Sequence, residues 1–217
     1  MNRYFEVYYN KKSDYPNKLA KYLLKFFNIK PKQTLLDVGC GIGEYLDEFE
    51  MLGLKVTGID SRPYNDARIC ECNLEECNIP FKDNSFDVVF SKSCVEHLSN
   101  PYEVIKDMKR VLKPGGTLII MVPDWTSNMK TYYDGYDHKC AFTRRGLKDL
   151  MGYVFFENGW GCEEFYQLPF LWFRGELKWI PKLISLLPDR FMWKDENTHR
   201  PLIRFSKLKM LLAWGYK

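Results

Sequence analysis

The 217-residue sequence has no apolar run near the roughly 18 residues needed to cross a bilayer, which excludes a transmembrane segment. It has no C-x-x-C pair. Its seven cysteines, Cys40, Cys70, Cys72, Cys77, Cys94, Cys140 and Cys162, are odd in number and lack metal-ligand spacing. No secretory signal is read, so a cytoplasmic protein with reduced thiols and no metal is expected; a zinc set from Cys70, Cys72, Cys77 and a distant histidine is the alternative. A strong excess of one charge is also missing. The net +4 is spread along the chain without a basic stripe, so nucleic acid is not an expected partner. Internal repeats and low-complexity linkers are absent, and 46% apolar composition can fill one sizeable core. The expectation is a single domain over 1–217, with an N-terminal helical cap at 1–32 and an insertion at 170–206.

Against these absences stands a run of closely spaced glycines. Residues 37–43 read Asp-Val-Gly-Cys-Gly-Ile-Gly directly after the apolar run Thr34-Leu35-Leu36. About 20 residues further on, Asp60 ends a second apolar run, a placement that lets a carboxylate accept from a ribose diol. The dinucleotide fingerprint G-x-G-x-x-G does not fit, because Glu44 occupies the place of its third glycine. A carboxylate there repels a pyrophosphate. A P-loop is ruled out as well, since no Lys-Ser/Thr pair follows the last glycine. Asp37, just before the turn, suits an amino group. The implied ligand is cationic at one end and carries a ribose at the other.

Strands and helices alternate through most of the chain, which argues for parallel βαβ units. Strands are expected near 34–38, 55–59, 67–71, 86–91 and 117–122, with a last pair at 162–168 and 208–215. A first helix carries Leu19, Tyr22, Leu23, Phe26 and Phe27 at helical spacing and stops at Pro31. Another opens with Asn100, Pro101 and Glu103 in a capping-box arrangement and runs to Pro114-Gly115-Gly116. A third begins after Thr143 and ends at Asn158-Gly159. The N-terminal stretch is aromatic, with Tyr4, Phe5, Tyr8, Tyr9 and Tyr15. Segment 170–206 mixes large apolar residues such as Trp172, Phe173, Trp179 and Trp193 with Arg174, Lys178, Lys182, Arg190 and Lys194. It reads as an extra packed helix or dimer contact, or as an amphipathic surface helix that Pro181 and Pro188 interrupt.

The acid followed by G-x-G-x-G resembles the first motif of the class I S-adenosylmethionine-dependent methyltransferases. Three more segments resemble the type 11 branch of that family: Ile79-Pro80-Phe81-Lys82-Asp83-Asn84-Ser85-Phe86-Asp87-Val88-Val89, Glu96-His97-Leu98, and Leu112-Lys113-Pro114-Gly115-Gly116-Thr117-Leu118. The resemblance covers roughly residues 33–168. It implies an α/β fold of the doubly wound, Rossmann-like methyltransferase kind: a mostly parallel seven-stranded sheet with an antiparallel last strand. It also implies S-adenosyl-L-methionine as cofactor. Asp37 would orient its amino group, Gly39 and Gly41 would admit the methionine part, Asp60 would take the ribose, and Ser91 would lie beneath the sulfonium. Asn73 and Leu74 would meet the adenine, although Asn73 departs from the family's usual acid.

The resemblance implies methyl transfer to an oxygen or nitrogen of a small molecule or cell-envelope glycan, with a non-catalytic cofactor-binding regulator as the alternative. The acceptor is not read from the fold. An Asn/Asp-Pro-Pro-Tyr/Phe-like motif is absent where Ser91-Lys92-Ser93-Cys94 stands, which turns the expectation away from nucleic acid. Asp137-His138 with Phe142-Thr143 resembles a D-H-x-x-x-F-T pattern, and His138 is the candidate catalytic base. A peripheral membrane contact through 170–206, and a monomer or homodimer, complete the expectation.

Overall fold

The computed structural model describes residues 14–62, 64–172, 177, 179–192 and 201–217. Tyr4, Phe5, Tyr8 and Tyr9 of the expected cap lie outside the described residues, as do Phe173, Arg174, Lys178, Trp193 and Lys194 of the insertion.

Seven strands form one sheet: β1 Thr34–Val38, β2 Lys55–Asp60, β3 Ile69–Glu71, β4 Phe86–Lys92, β5 Leu112–Pro123, β6 Trp160–Phe165 and β7 Met210–Tyr216. Their order is β3-β2-β1-β4-β5-β7-β6. The first five pair in parallel, and β7 runs antiparallel to both neighbours, β5 and β6. Adjacent residues along each central strand serve opposite faces of the sheet. Leu36, Val89 and Ile120 join one buried cluster, whereas Leu35, Val88 and Ile119 join the other. A strand buried on both sides has to be apolar almost continuously, which is why these segments are legible as unbroken apolar runs.

Three longer helices and one shorter one cover the two faces. On one side lie α1 Tyr15–Phe26, through Leu19 and Leu23, and α2 Glu44–Met51, through Phe49. Pro31 does not end α1. Asn28 does, in the left-handed conformation at φ 54°, while the Ile29 N–H donates back to the Leu24 carbonyl. On the other side lie α3 Pro101–Val111 and α5 Arg144–Phe155, with the short α4 Trp125–Asn128 between them in sequence. The Asn100 side chain accepts from the Glu103 N–H at 3.4 Å, but the Glu103 carboxylate pairs with Lys106 at 3.0 Å, so the capping box is half made. Thr143 caps α5 by accepting from Gly146.

Helix α3 stops at Val111, three residues short of the expected Pro114, because Leu112 already pairs with Phe86 in the sheet. The register then jumps to Val88↔Thr117, and Lys113-Pro114-Gly115-Gly116 forms the bulge that absorbs the extra length.

Two of the motifs prove to be scaffold. Arg110 binds the carbonyls of Ile79 and Phe81 and the carboxylates of Asp83 and Asp107. Asp87 accepts from the Thr34 N–H, the Thr34 hydroxyl and Lys113. Between them these contacts tie residues 79–89 to α3, β1 and the bulge.

The insertion contains α6 Trp179–Ile184 and α7 Pro201–Lys207 rather than one long helix. Asp189 joins it to the segment after β5 through Lys130 at 2.5 Å, and to α7 through Lys207 at 3.0 Å. Tyr15, Tyr22 and Phe165 gather around Trp172, which pins the start of the insertion to α1 and β6. Among the described residues, no helix is long and apolar enough to cross a membrane.

Candidate active site

Strand order reverses between β1 and β4, so the connections leaving their C-terminal ends diverge and open a crevice there. The glycine turn leaves β1 at this point. The N–H groups of Gly39 and Cys40 both donate to the Ile59 carbonyl, at 2.9 and 3.0 Å. Gly39, Gly41 and Gly43 take φ of 76°, 54° and 85°, a region that side chains disfavour. At Gly39 a Cβ would also lie 2.5 Å from the Cys94 side chain, so the turn fits against the end of β4 only without one. At Gly43 the nearest atoms would be 3.5 Å away, so conformation rather than crowding calls for glycine there.

Asp60 closes the turn. Its Oδ2 accepts from the Gly41 N–H at 2.9 Å and its Oδ1 from the Arg62 N–H at 3.2 Å. Each carboxylate oxygen keeps a further lone pair for a diol. Asp37 is 2% exposed, and its Oδ2 has no hydrogen-bond partner among the described residues. Burial, reinforced by Asp60 and opposed by Lys92, pushes the Asp37 carboxyl up to about 8. An ammonium group is the partner such an oxygen lacks.

The other predicted positions divide. Ser91, next to last in β4, is fully buried, but its hydroxyl donates to the Val38 carbonyl at 2.9 Å and so braces the base of the turn. Asn73 uses its side chain locally: Oδ1 accepts from the Glu75 N–H and Nδ2 donates to Glu76. Leu74 borders a cavity of about 200 Å³ shared with Leu98 and Val104. That cavity includes none of Asp37, Gly39, Gly41 or Asp60.

Opposite the glycine turn, the end of β4 passes into a single helical turn, Val95–His97. The Lys139 and Cys140 N–H groups donate to the Glu96 carbonyl at 2.8 and 2.9 Å, which brings His138 beside His97 with ring centres 4.8 Å apart. His138 Nδ1 lies 2.5 Å from the Tyr132 carbonyl, and the buried Tyr132 ring packs against the His138 ring. Glu96 is fully buried, and neither carboxylate oxygen has a partner among the described residues. Burial raises it to about 7, with Lys92 pulling the other way. His97 is held below its usual value, first by burial, while Asp137 opposes.

Lys92 was not singled out from sequence as a site charge. The half-buried Lys92 is drawn down by burial and held up by Glu96, Glu44 and Asp37. One lysine therefore answers three carboxylates, with Asp60 alongside. The imbalance favours a cationic ligand over a phosphate-bearing one. The orphaned Asp37 oxygen, the turn that no side chain could enter, and this charge set all fit the methionine and ribose ends of S-adenosylmethionine. Among the described residues, Cys70, Cys72 and Cys77 do not converge with a histidine; Cys72 and Cys77 face each other, sulfur to sulfur, at 3.4 Å.

Residues 36–120 match the family model described as a methyltransferase domain. Phosphoethanolamine N-methyltransferase 2 of Caenorhabditis elegans is 31% identical over 60% of this chain and 33% of its own length. Sterol 4-C-methyltransferase strm-1 of the same organism is 32% identical over 48% of this chain and 36% of its own. The chain thus spans about a third of these curated relatives. Among solved structures, a SAM-dependent methyltransferase from Archaeoglobus fulgidus aligns over 100% of both chains with a TM-score of 0.66 and 18% identity. Phosphoethanolamine N-methyltransferase 2 of Haemonchus contortus, solved with phosphomonomethylethanolamine and S-adenosylhomocysteine, aligns over 92% of this chain and 52% of its own, at TM-score 0.59 and 22% identity. At these identities the structural likeness speaks for the fold.

Proposed function

We propose that this chain, whose residues 36–120 match a methyltransferase-domain model, is a class I S-adenosylmethionine-dependent methyltransferase that moves a methyl group to an oxygen or nitrogen of a small molecule. The observation that carries the reading is the buried Asp37 oxygen without a partner, set beside a glycine turn that Asp60 holds shut. The bound cofactor supplies a methyl group already activated on a sulfonium. Asp37 holds the amino group, and Asp60 takes the ribose hydroxyls while fixing the turn. Gly39 and Gly41 let the ligand lie on the backbone, and Leu74 offers an apolar wall to the base. Asn73 supports the Leu74 turn through its own hydrogen bonds rather than by reaching outward. Ser91 acts from below, through the Val38 carbonyl.

Acceleration in such a displacement comes largely from orientation, which the rigid turn and the end of β4 supply. A hydroxyl acceptor must also lose a proton. His138 receives it: its Nδ1 is engaged by the Tyr132 carbonyl, so Nε2 is left with a lone pair. Relatives named for phosphoethanolamine and sterol methylation support a small-molecule acceptor. The exposed Trp179, Leu183 and Leu186 of the insertion support a peripheral lipid contact, which pelleting with vesicles tests.

The deciding experiment is calorimetric titration with S-adenosylhomocysteine, followed by transfer of labelled methyl from the cofactor to phosphoethanolamine, sterol and sugar acceptors. Binding with turnover supports the reading. Binding with no turnover on any acceptor points to a regulatory protein, and absence of binding removes the assignment.

A further inference from the structure

Glu96, His97 and His138 meet just beyond the end of β4, brought together by the backbone bonds from Lys139 and Cys140 to the Glu96 carbonyl. Each of the three can place one ligand atom within 4.8 Å of those of the other two. Glu96 is 0% exposed, and both of its carboxylate oxygens are without a hydrogen-bond partner among the described residues. A buried carboxylate in that condition is costly unless something answers it.

Each imidazole has its Nδ1 against a backbone carbonyl. His138 Nδ1 faces the Tyr132 carbonyl at 2.5 Å. His97 Nδ1 faces the Asp137 carbonyl at 3.2 Å and the Asp137 carboxylate at 3.4 Å. A carbonyl can only accept, so each Nδ1 carries the hydrogen and each Nε2 keeps its lone pair. Outer carbonyl or carboxylate partners of this kind fix the tautomer and the ring plane of metal-binding histidines. Lys139 is turned to Glu75 at 3.1 Å and Ser99 at 3.2 Å, while Lys92, over the Tyr45 ring, acts on Glu96 through its charge without giving it a hydrogen bond.

We propose that Glu96, His97 and His138 form a binding site for a divalent transition-metal ion, held by two imidazole nitrogens and one carboxylate. Two nitrogens and one oxygen suit zinc, iron or cobalt better than magnesium or calcium, which prefer oxygen alone. Bonds of about 2.0–2.1 Å require the three groups to draw inward, a movement within the rotation of their side chains. Three protein ligands leave positions open to another molecule. Resting on the methyl-transfer reading above, those positions hold the acceptor oxygen or nitrogen, and loading with the ion turns His138 from the base of the metal-free site into a ligand.

The test is titration of the chelator-treated full chain with Co²⁺, followed by absorption. The expected result is one ion per chain, visible bands of a nitrogen–oxygen site without thiolate charge transfer, and displacement by Zn²⁺. Glu96→Gln, His97→Gln and His138→Gln each weaken binding at least tenfold, whereas His138→Asp, which keeps a ligand, retains it. S-adenosylhomocysteine affinity of the same samples stays within twofold. The proposal is overturned if the wild type binds no Co²⁺, if the spectrum is that of cysteine thiolates, or if the histidine variants bind as the wild type does. Should His138→Gln unfold, His97→Gln decides, since that ring is 32% exposed. A wild type that binds Co²⁺ but not S-adenosylhomocysteine removes the methyl-transfer reading and leaves the metal site standing.

Discussion

Asp60 holds the Gly41 N–H at 2.9 Å, so the carboxylate expected to grip the ribose is also the clasp of the turn that admits the cofactor. Two roles in one side chain make substitutions informative. Asp60→Asn keeps an oxygen for Gly41 and loses the charge, whereas Asp60→Ala loses both. The expected order of affinity for S-adenosylhomocysteine is wild type, then Asn, then Ala, with Ala weaker by about 1–3 kcal/mol. Equal affinities in calorimetry would remove Asp60 from the site.

Gly39→Ala combines a left-handed φ of 76° with a methyl group 2.5 Å from the Cys94 side chain. A loss of about 1–3 kcal/mol in urea unfolding is expected. Cys94→Gly in the same chain removes the obstructing atoms and should recover part of it. No recovery would mean that strain in φ, rather than crowding, dominates.

The Asp37 carboxyl, raised to about 8, makes the ligand-free fold pH-sensitive. The folded protein holds a proton there that the unfolded chain releases near pH 4. The native state therefore binds more protons between those values, and stability falls as pH rises through the window up to about 8. Glu96, raised to about 7, adds the same sign, while His97, held below its usual value, opposes it at the acid end. Thermal unfolding from pH 6.5 to 8.5 should show the decline, and Asp37→Asn should flatten it. A profile unchanged in Asp37→Asn contradicts the assignment.

Cys72 and Cys77 stand 3.4 Å apart, sulfur to sulfur, with Cys77 exposed. Mild oxidation with diamide should close this pair before any other of the seven cysteines, as peptide mapping would detect. Cys77→Ser should abolish that product; a different first disulfide refutes the geometry.

Most of the sheet was legible because doubly buried strands need nearly continuous apolar runs, and Asn100, Thr143 and Gly159 punctuate the helices as their chemistry requires. Two boundaries misled. Pro31 looked like the stop for α1, but Asn28 takes the left-handed turn first. Pro114 looked like the end of α3, but a bulge lets β5 begin at Leu112. The cofactor side was readable because a turn and an acid are local features. The state of Glu96 was not, since nothing in Glu96-His97-Leu98 reveals that both carboxylate oxygens end up buried without hydrogen-bond partners among the described residues. The segment 170–206 resisted reading for another reason: among its described residues Leu171 and Met192 are buried while Trp179, Leu183 and Leu186 stand exposed on or beside short helices, so no single periodicity describes them.

The connection from β5 to α5 is fastened at both ends. Asp124 donates its N–H to the Lys209 carbonyl and accepts from the Thr126 N–H, and Asn128 donates to the same carbonyl at 2.9 Å. At the far end, Lys139 and Cys140 lock onto Glu96. Between these fastenings, Met129, Tyr133 and Tyr136 stand exposed. This is the architecture of an interchangeable tool head. Met129, Tyr133 and Tyr136 can be exchanged to suit a new acceptor while Tyr132 beneath His138, the glycine turn, Asp37 and Asp60 keep their places.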